Sequence, residues 1–280
     1  KPGSFYEGSQ GIAIIEPSDD GQYLAVGQGN SSNYAGVSAP SNGVQIGRIL
    51  SNGRLSWLPL SEASQAKLNG LDVRSLVWEG DLLRGTAWDP RTESGSRFSL
   101  LVDEGRILDA QVDNVGSLNL VSDGSAQNFL EAGYNDQTGV NQVSFNGSPL
   151  NGFEYQELIN SFLVNRDRIA RISVYPELVD GTQIVFLGSF LPEDDEPIFR
   201  VLRLQINPST GELISYRSTT AVVDGQPYVP FGSAQGANNG WYYGNFSFQV
   251  DPYDPEAQSI YVGGNQYSQS LLSPSYLYVG

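Results

Sequence analysis

The 280-residue chain contains no cysteine, no histidine and no methionine. Without cysteine there is no disulfide framework, no thiol nucleophile and no thiolate-held zinc or iron–sulfur centre. Without histidine there is no Ser-His-Asp triad, no imidazole base and none of the usual zinc ligand sets. Positive charge is scarce as well. Fifteen Lys and Arg face thirty-one Asp and Glu, a net charge of −16. That balance argues against a nucleic-acid partner and against an anionic membrane surface, both of which are held by basic residues. No stretch approaches the roughly 18 apolar residues of a membrane span, so no membrane insertion is expected. Heptads and long helical patterns are missing too. An acidic, lysine-poor surface suits an extracellular or cell-surface protein. The chain starts at Lys1 and stops at Leu277-Tyr278-Val279-Gly280, a strand-like run, and is read as a piece of a longer protein.

What the chain has in plenty is turn chemistry and period-two alternation. There are 32 Gly and 15 Pro. Phe246, Phe248 and Val250 alternate with Ser247, Gln249 and Asp251, which predicts a strand; Pro252 and Pro255 break it, and Ser259–Gly263 resumes it. The same plan recurs. GIAIIEPSDDGQYLAVGQG (11–29) matches NFSFQVDPYDPEAQSIYVGG (245–264), each with an alternating strand ending in acid-Pro, a short turn, an aromatic strand, then Val-Gly. ARISVYPELVDGTQIVFLGS (170–189) is a third copy. Segments from Val73 and Leu118 repeat the plan with tighter turns, the second ending in a weaker fourth run after Gly147. Ser51-Asn52-Gly53 is a strong hairpin turn, and Arg106–Gln111 reads as an outer strand.

Each unit is a four-stranded antiparallel meander of about 40–55 residues, the size of a propeller blade. The expected fold is therefore an all-β, single β-propeller domain over residues 1–280. Its blades start near 11, 73, 117, 169 and 245, about five being visible, and the ring either closes there or belongs to a larger propeller. Trp57, Trp78 and Trp88, on strands with apolar neighbours, are read as blade-packing residues.

Val250-Asp251-Pro252-Tyr253-Asp254-Pro255 followed by Ile260-Tyr261-Val262-Gly263-Gly264, and the Trp57 that follows Ser51-Asn52-Gly53, resemble the repeats of the BNR, Vps10 and xyloglucanase-like propellers. The resemblance implies a propeller fold. It departs from that family in the Asp-box hairpin, present only as the shortened Ser51-Asn52-Gly53, and it carries no set of sialidase arginines. It implies architecture rather than a particular activity.

In a propeller of this plan, connections from strand one to two and three to four lie at one end of the blades and are short here. Connections from strand two to three, and between blades, lie at the other end and are long, which is where binding sites collect. Ligand-binding candidates at that end are Asn30, Asn33, Tyr34, Tyr134, Asn135, Phe190, Asn265, Tyr267 and the run Trp241, Tyr242 and Tyr243. Aromatic faces can stack on sugar rings while amides bond the hydroxyls; the same aromatics could instead plug the centre of the ring. Glu193-Asp194-Asp195-Glu196 is either a solvated acidic loop or, through Asp194 and Asp195, a Ca²⁺ site. No other cofactor is expected. Two functions stand side by side: a non-catalytic module binding polysaccharide or a protein partner, and a glycoside hydrolase drawing its two carboxylates from Glu7, Asp136, Glu193, Asp194 and Asp195. A structural domain of a large surface protein is the third.

Overall fold

The computed structural model describes residues 12–29, 43–89, 91–125, 128–135, 140–163, 168–191, 198–220, 222–223, 226–227, 246–264 and 276–279. The chain forms two compact units, Lys1–Ser125 and Ala126–Gly280.

The first sheet runs β1 (Ile12–Pro17), β2 (Tyr23–Gln28), β3 (Val44–Ile49) and β4 (Leu55–Trp57), all antiparallel neighbours in chain order. Helix α1 (Glu62–Leu68) follows, capped by the Ser61 side chain, which accepts from the Ser64 N–H. The second sheet is β5 (Asp72–Glu79), β6 (Leu82–Asp89), β7 (Ser94–Asp103), β8 (Arg106–Ile107) and β9 (Gln111–Asn114). Its fourth strand is thus two pieces, where the sequence suggests one. The cause is α1: the Ser64 hydroxyl accepts from the Ala110 N–H at 2.8 Å, Lys67 donates to the Ala110 carbonyl at 2.7 Å, and Ser61 bonds Asp109. Those bonds take the backbone of Ala110 away from β7, and both short strands pair with β7 on either side of it.

The third sheet is β10 (Leu118–Gly124), β11 (Phe129–Asn135), β12 (Val140–Phe145) and β13 (Ser148–Pro149). Here the weak fourth run is a two-residue strand followed by helix α2 (Phe153–Ser161). Pro149 cannot donate to a ladder, while Glu-Tyr-Gln-Glu-Leu supplies helix formers with Leu158 buried. Gly152 starts the helix at φ 102°, a conformation a side chain would strain, and a Cβ there would meet Glu212 Cγ at 3.0 Å. The fourth sheet is β14 (Arg168–Val179), β15 (Thr182–Leu191), β16 (Ile198–Ile206) and β17 (Leu213–Thr220). A two-residue pair, β18 (Val222–Val223) and β19 (Gln226–Pro227), precedes the fifth sheet of β20 (Phe246–Val250), β21 (Ile260–Gly264) and β22 (Tyr276–Val279).

Meander blades of this kind make the architecture a β-propeller. The inner strands begin at residues 12, 72, 118, 168 and 246. In the first unit the core gathers Val44, Ile46, Leu68, Leu71, Leu83, Leu100 and Trp78, with Trp78 only 3 % exposed. Trp57 and Trp88 are half-buried, so the three tryptophans are graded rather than equivalent packing residues. In the second unit the core gathers Tyr175, Ile184, Phe186, Phe248 and Val250.

The acid-Pro turns shared by the repeats are scaffold. Asp254 accepts from the N–H groups of Glu256, Gln258 and Ser259, and Asp251 accepts from the Tyr253 N–H and the Tyr261 hydroxyl. The first copy does the same work with other residues. Ser18 accepts from the Tyr23 N–H, and Asp20 accepts from the Ser18 hydroxyl and the Gln22 N–H. These bonds to the charged form hold the Asp254 carboxyl below the usual range, the Gln258 N–H contributing most.

Candidate functional site

In the second unit, blades three and four bring a set of polar and aromatic side chains together at their long-loop end. The chain of contacts starts on blade three. Tyr134 near the end of β11 is paired with Asn141 at the start of β12, so the two side chains share one face of the sheet, with Val143 and Phe145 further along. Both are buried. Asn141 donates from its amide to the Leu163 carbonyl, just past α2.

Helix α2 delivers the next members. Its Tyr155 hydroxyl bonds the Val143 backbone on blade three, and burial raises that hydroxyl's pKa. On its other side Ser161 bonds Tyr216 of β17. Clamped to both blades, the helix ends at Phe162, whose N–H donates to the Leu158 carbonyl at 2.9 Å. The Phe162 ring meets Tyr216 edge-on, with centroids 5.5 Å apart, and the Arg200 guanidinium lies 5.7 Å from the Phe162 centroid. An arginine over an aromatic face is a favourable cation–π arrangement and fixes the direction of the guanidinium.

Arg200 is paired in register with Ser189 on β15, and Ser189 with Ile169 on β14, so these three point to the same side of blade four. Among the described residues, two with no exposed surface carry a side-chain atom lacking a hydrogen-bond partner, Gln183 and Ser189. The Gln183 amide nitrogen is already bonded to the Tyr175 and Ile184 carbonyls. The Ser189 hydroxyl has no partner at all. A buried hydroxyl left unpaired costs on the order of 1–3 kcal/mol, and such groups concentrate where a site uses them.

The arrangement can stack an apolar ring face and offer donors and acceptors in one place: a guanidinium, a hydroxyl and amides. Of the residues predicted from sequence, Tyr134 is part of this set. Asn135 follows it at the strand end, half-buried and paired with Val140. Phe190 follows Ser189 in β15, opposite Phe199 and Arg168 in register. Asn30, Asn33, Tyr34, Trp241, Tyr242, Tyr243, Asn265 and Tyr267 lie outside the described residues, as do the carboxylates Glu7, Asp136, Glu193, Asp194 and Asp195. Among the described residues no group of three acidic side chains is arranged to hold a metal ion. Sequence reasoning missed Asn141, Phe162, Ser189 and Arg200. Only Arg200 carried a visible signal, a charge at the head of the apolar run Ile198–Ile206.

No family model and no curated protein matches the chain. Solved structures do. An α-L-arabinanase of Penicillium chrysogenum, complexed with arabinobiose, is similar over 94 % of this chain and 76 % of its own, with a TM-score of 0.50 and 12 % identity. A structure described as the Dos1 propeller is similar over 90 % and 67 %, at 0.44 and 10 %. A GH43 β-1,3-galactosidase with galactodeoxynojirimycin is similar over 96 % and 93 %, at 0.43 and 8 %. The first of these shows the fold, and the fold alone.

Proposed function

We propose that this chain is a non-catalytic binding propeller, at the cell surface or outside the cell, that recognises a neutral polysaccharide through the long-loop end of its blades. The observation that carries the reading is the Ser189 hydroxyl, fully buried and unpartnered, on the same side of its blade as the Arg200 guanidinium held over Phe162. A sugar presents what that set lacks: hydroxyls that both donate and accept, and an apolar ring face. The net charge of −16 disfavours polyanionic glycans and favours uncharged ones. A propeller of similar fold, the Penicillium arabinanase, is complexed with the neutral disaccharide arabinobiose, which supports the class of ligand. The aromatic run Trp241, Tyr242 and Tyr243 extends the same proposal as a stacking platform, each ring contributing about 1 kcal/mol.

The test is a glycan array followed by calorimetry on the best neutral oligosaccharide. Arg200→Met keeps the side-chain stem over Phe162 and removes the donors; hydrogen bonds to a charged group contribute about 1.5–3 kcal/mol, so affinity should fall roughly tenfold or more. A Trp241→Ala, Tyr243→Ala double variant tests the platform separately. Wild-type protein that binds no glycan, or an Arg200→Met variant that binds as well as wild type, overturns the reading. Release of reducing sugar during the assay would replace it with the glycoside hydrolase.

A further inference from the structure

The opposite, short-turn end of the first unit holds a buried acid that the proposed sugar site does not use. Glu16 is the last residue of β1 before Pro17. Its backbone is stapled from two directions. The Trp78 indole N–H of β5 donates to the Glu16 carbonyl at 3.1 Å, and the Trp78 ring stacks on Tyr23, with centroids 6.2 Å apart. Tyr23 in turn exchanges bonds with Ser18, closing the β1–β2 turn. Residues 16, 18, 23 and 78 therefore form one circuit, and the Glu16 side chain is folded in beside it.

The groups around that carboxyl are almost all acids. From its own turn come Asp19 and Asp20, the latter bonded to Ser18 and the Gln22 N–H. From β10 comes Asp123, the nearest strong charge, ahead of Asp19. On β5, Glu79 is neutralised by Arg84 of β6 at 2.7 Å. β2 contributes the Tyr23 phenol. Among the described residues no ion pair and no side-chain hydrogen bond involves the Glu16 carboxyl. Burial first, then repulsion from Asp123 and Asp19, raises its pKa from 4.5 to about 8. At neutral pH it is an uncharged acid.

We propose that Glu16 is a pH-operated latch: its neutral carboxyl lets β1, β5 and β10 close at this end, and its ionisation loosens the β1–β2 turn. The sign follows from proton binding. The folded chain holds this proton more tightly than the unfolded one, so the latch contributes its full stability below about 4.5 and loses it as pH rises through about 8. The ionised carboxylate cannot leave its place without dragging the Glu16 carbonyl off the Trp78 indole. Opening is therefore reported by the environment of one tryptophan.

The test follows tryptophan fluorescence and thermal unfolding of the whole chain from pH 5 to 10, in wild type, Glu16→Gln and Asp123→Asn. Trp78→Phe identifies the fluorescence change that belongs to Trp78 among the four tryptophans. Wild type should show a one-proton transition with its midpoint near 8, and a melting temperature that declines across the same interval. In Glu16→Gln both changes should vanish. In Asp123→Asn the midpoint should move to lower pH by on the order of one unit, because one repelling charge is gone. This arm stands if Glu16→Gln fails to fold. An unaltered transition in Glu16→Gln, an unmoved midpoint in Asp123→Asn, or a Glu16 carboxyl that titrates by NMR in the ordinary carboxylate range overturns the latch.

Discussion

Two buried serines, one in each unit, sit on β-strands of the same kind and end in opposite circumstances. Ser75 on β5 bonds the Thr86 hydroxyl of β6 and, at 2.8 Å, the Ser122 hydroxyl of β10. It also accepts from the Ser122 N–H, and Thr86 donates to the Leu120 carbonyl at 3.0 Å. Every hydroxyl in that knot has a partner. Ser189 on β15 is just as buried, and its hydroxyl has none. The difference separates a polar group that holds the scaffold from one that is held for a ligand. In a satisfied network each member depends on the others, whereas an unpaired hydroxyl costs stability that only a bound group recovers.

Breaking the scaffold side gives the largest effects. Trp78→Ala removes a side chain 3 % exposed together with the bond to Glu16, and should cost about 3–5 kcal/mol by chemical denaturation of the whole chain. Trp57, half-buried, should cost clearly less. Equal losses at the two positions would contradict the grading of burial seen here. Ser75→Ala leaves the Thr86 and Ser122 hydroxyls and one backbone N–H short of a partner, and should cost about 1–3 kcal/mol. Ser189→Ala should move stability least, within about 0.5 kcal/mol or slightly upward, because it deletes a group with nothing to lose. Its effect should appear in glycan binding, measured by calorimetry beside Arg200→Met. If Ser189→Ala destabilises as much as Ser75→Ala, the hydroxyl is scaffold after all and the contrast fails.

Much of the blade plan is legible in the sequence because it is written locally. Alternation such as Phe246, Phe248 and Val250 marks a strand, and Asn207–Gly211 or Ser51–Gly53 marks its turn, within a dozen residues. Inner strands expected near 11, 73, 117, 169 and 245 begin at 12, 72, 118, 168 and 246. Where local reading stopped short, a distant partner had intervened. The strand expected over Arg106–Gln111 is split because Ser64 and Lys67, more than forty positions away, claim the backbone of Ala110. The run after Gly147 becomes helix α2 because two blades receive it through Tyr155 and Ser161.

The candidate site divides along the same line. Tyr134, Asn135 and Phe190 could be placed at the long-loop end from strand order alone, since a meander puts the ends of its second strands there. That Tyr134 joins Asn141, Phe162, Arg200 and Ser189 could not be read in advance, because register and helix docking decide which side chains meet. The sequence by itself determined an acidic chain of antiparallel four-stranded units, with alternation setting the strands and turn residues setting their lengths. Only the tertiary structure decided which polar groups would be satisfied and which left without a partner. Ser75 and Ser189 are the same residue in similar strand contexts, and Glu16 is an ordinary strand-end acid until Trp78, sixty-two positions along, closes over it. The physical reason is that desolvation and hydrogen-bond satisfaction depend on every neighbour at once, and those neighbours come from far along the chain.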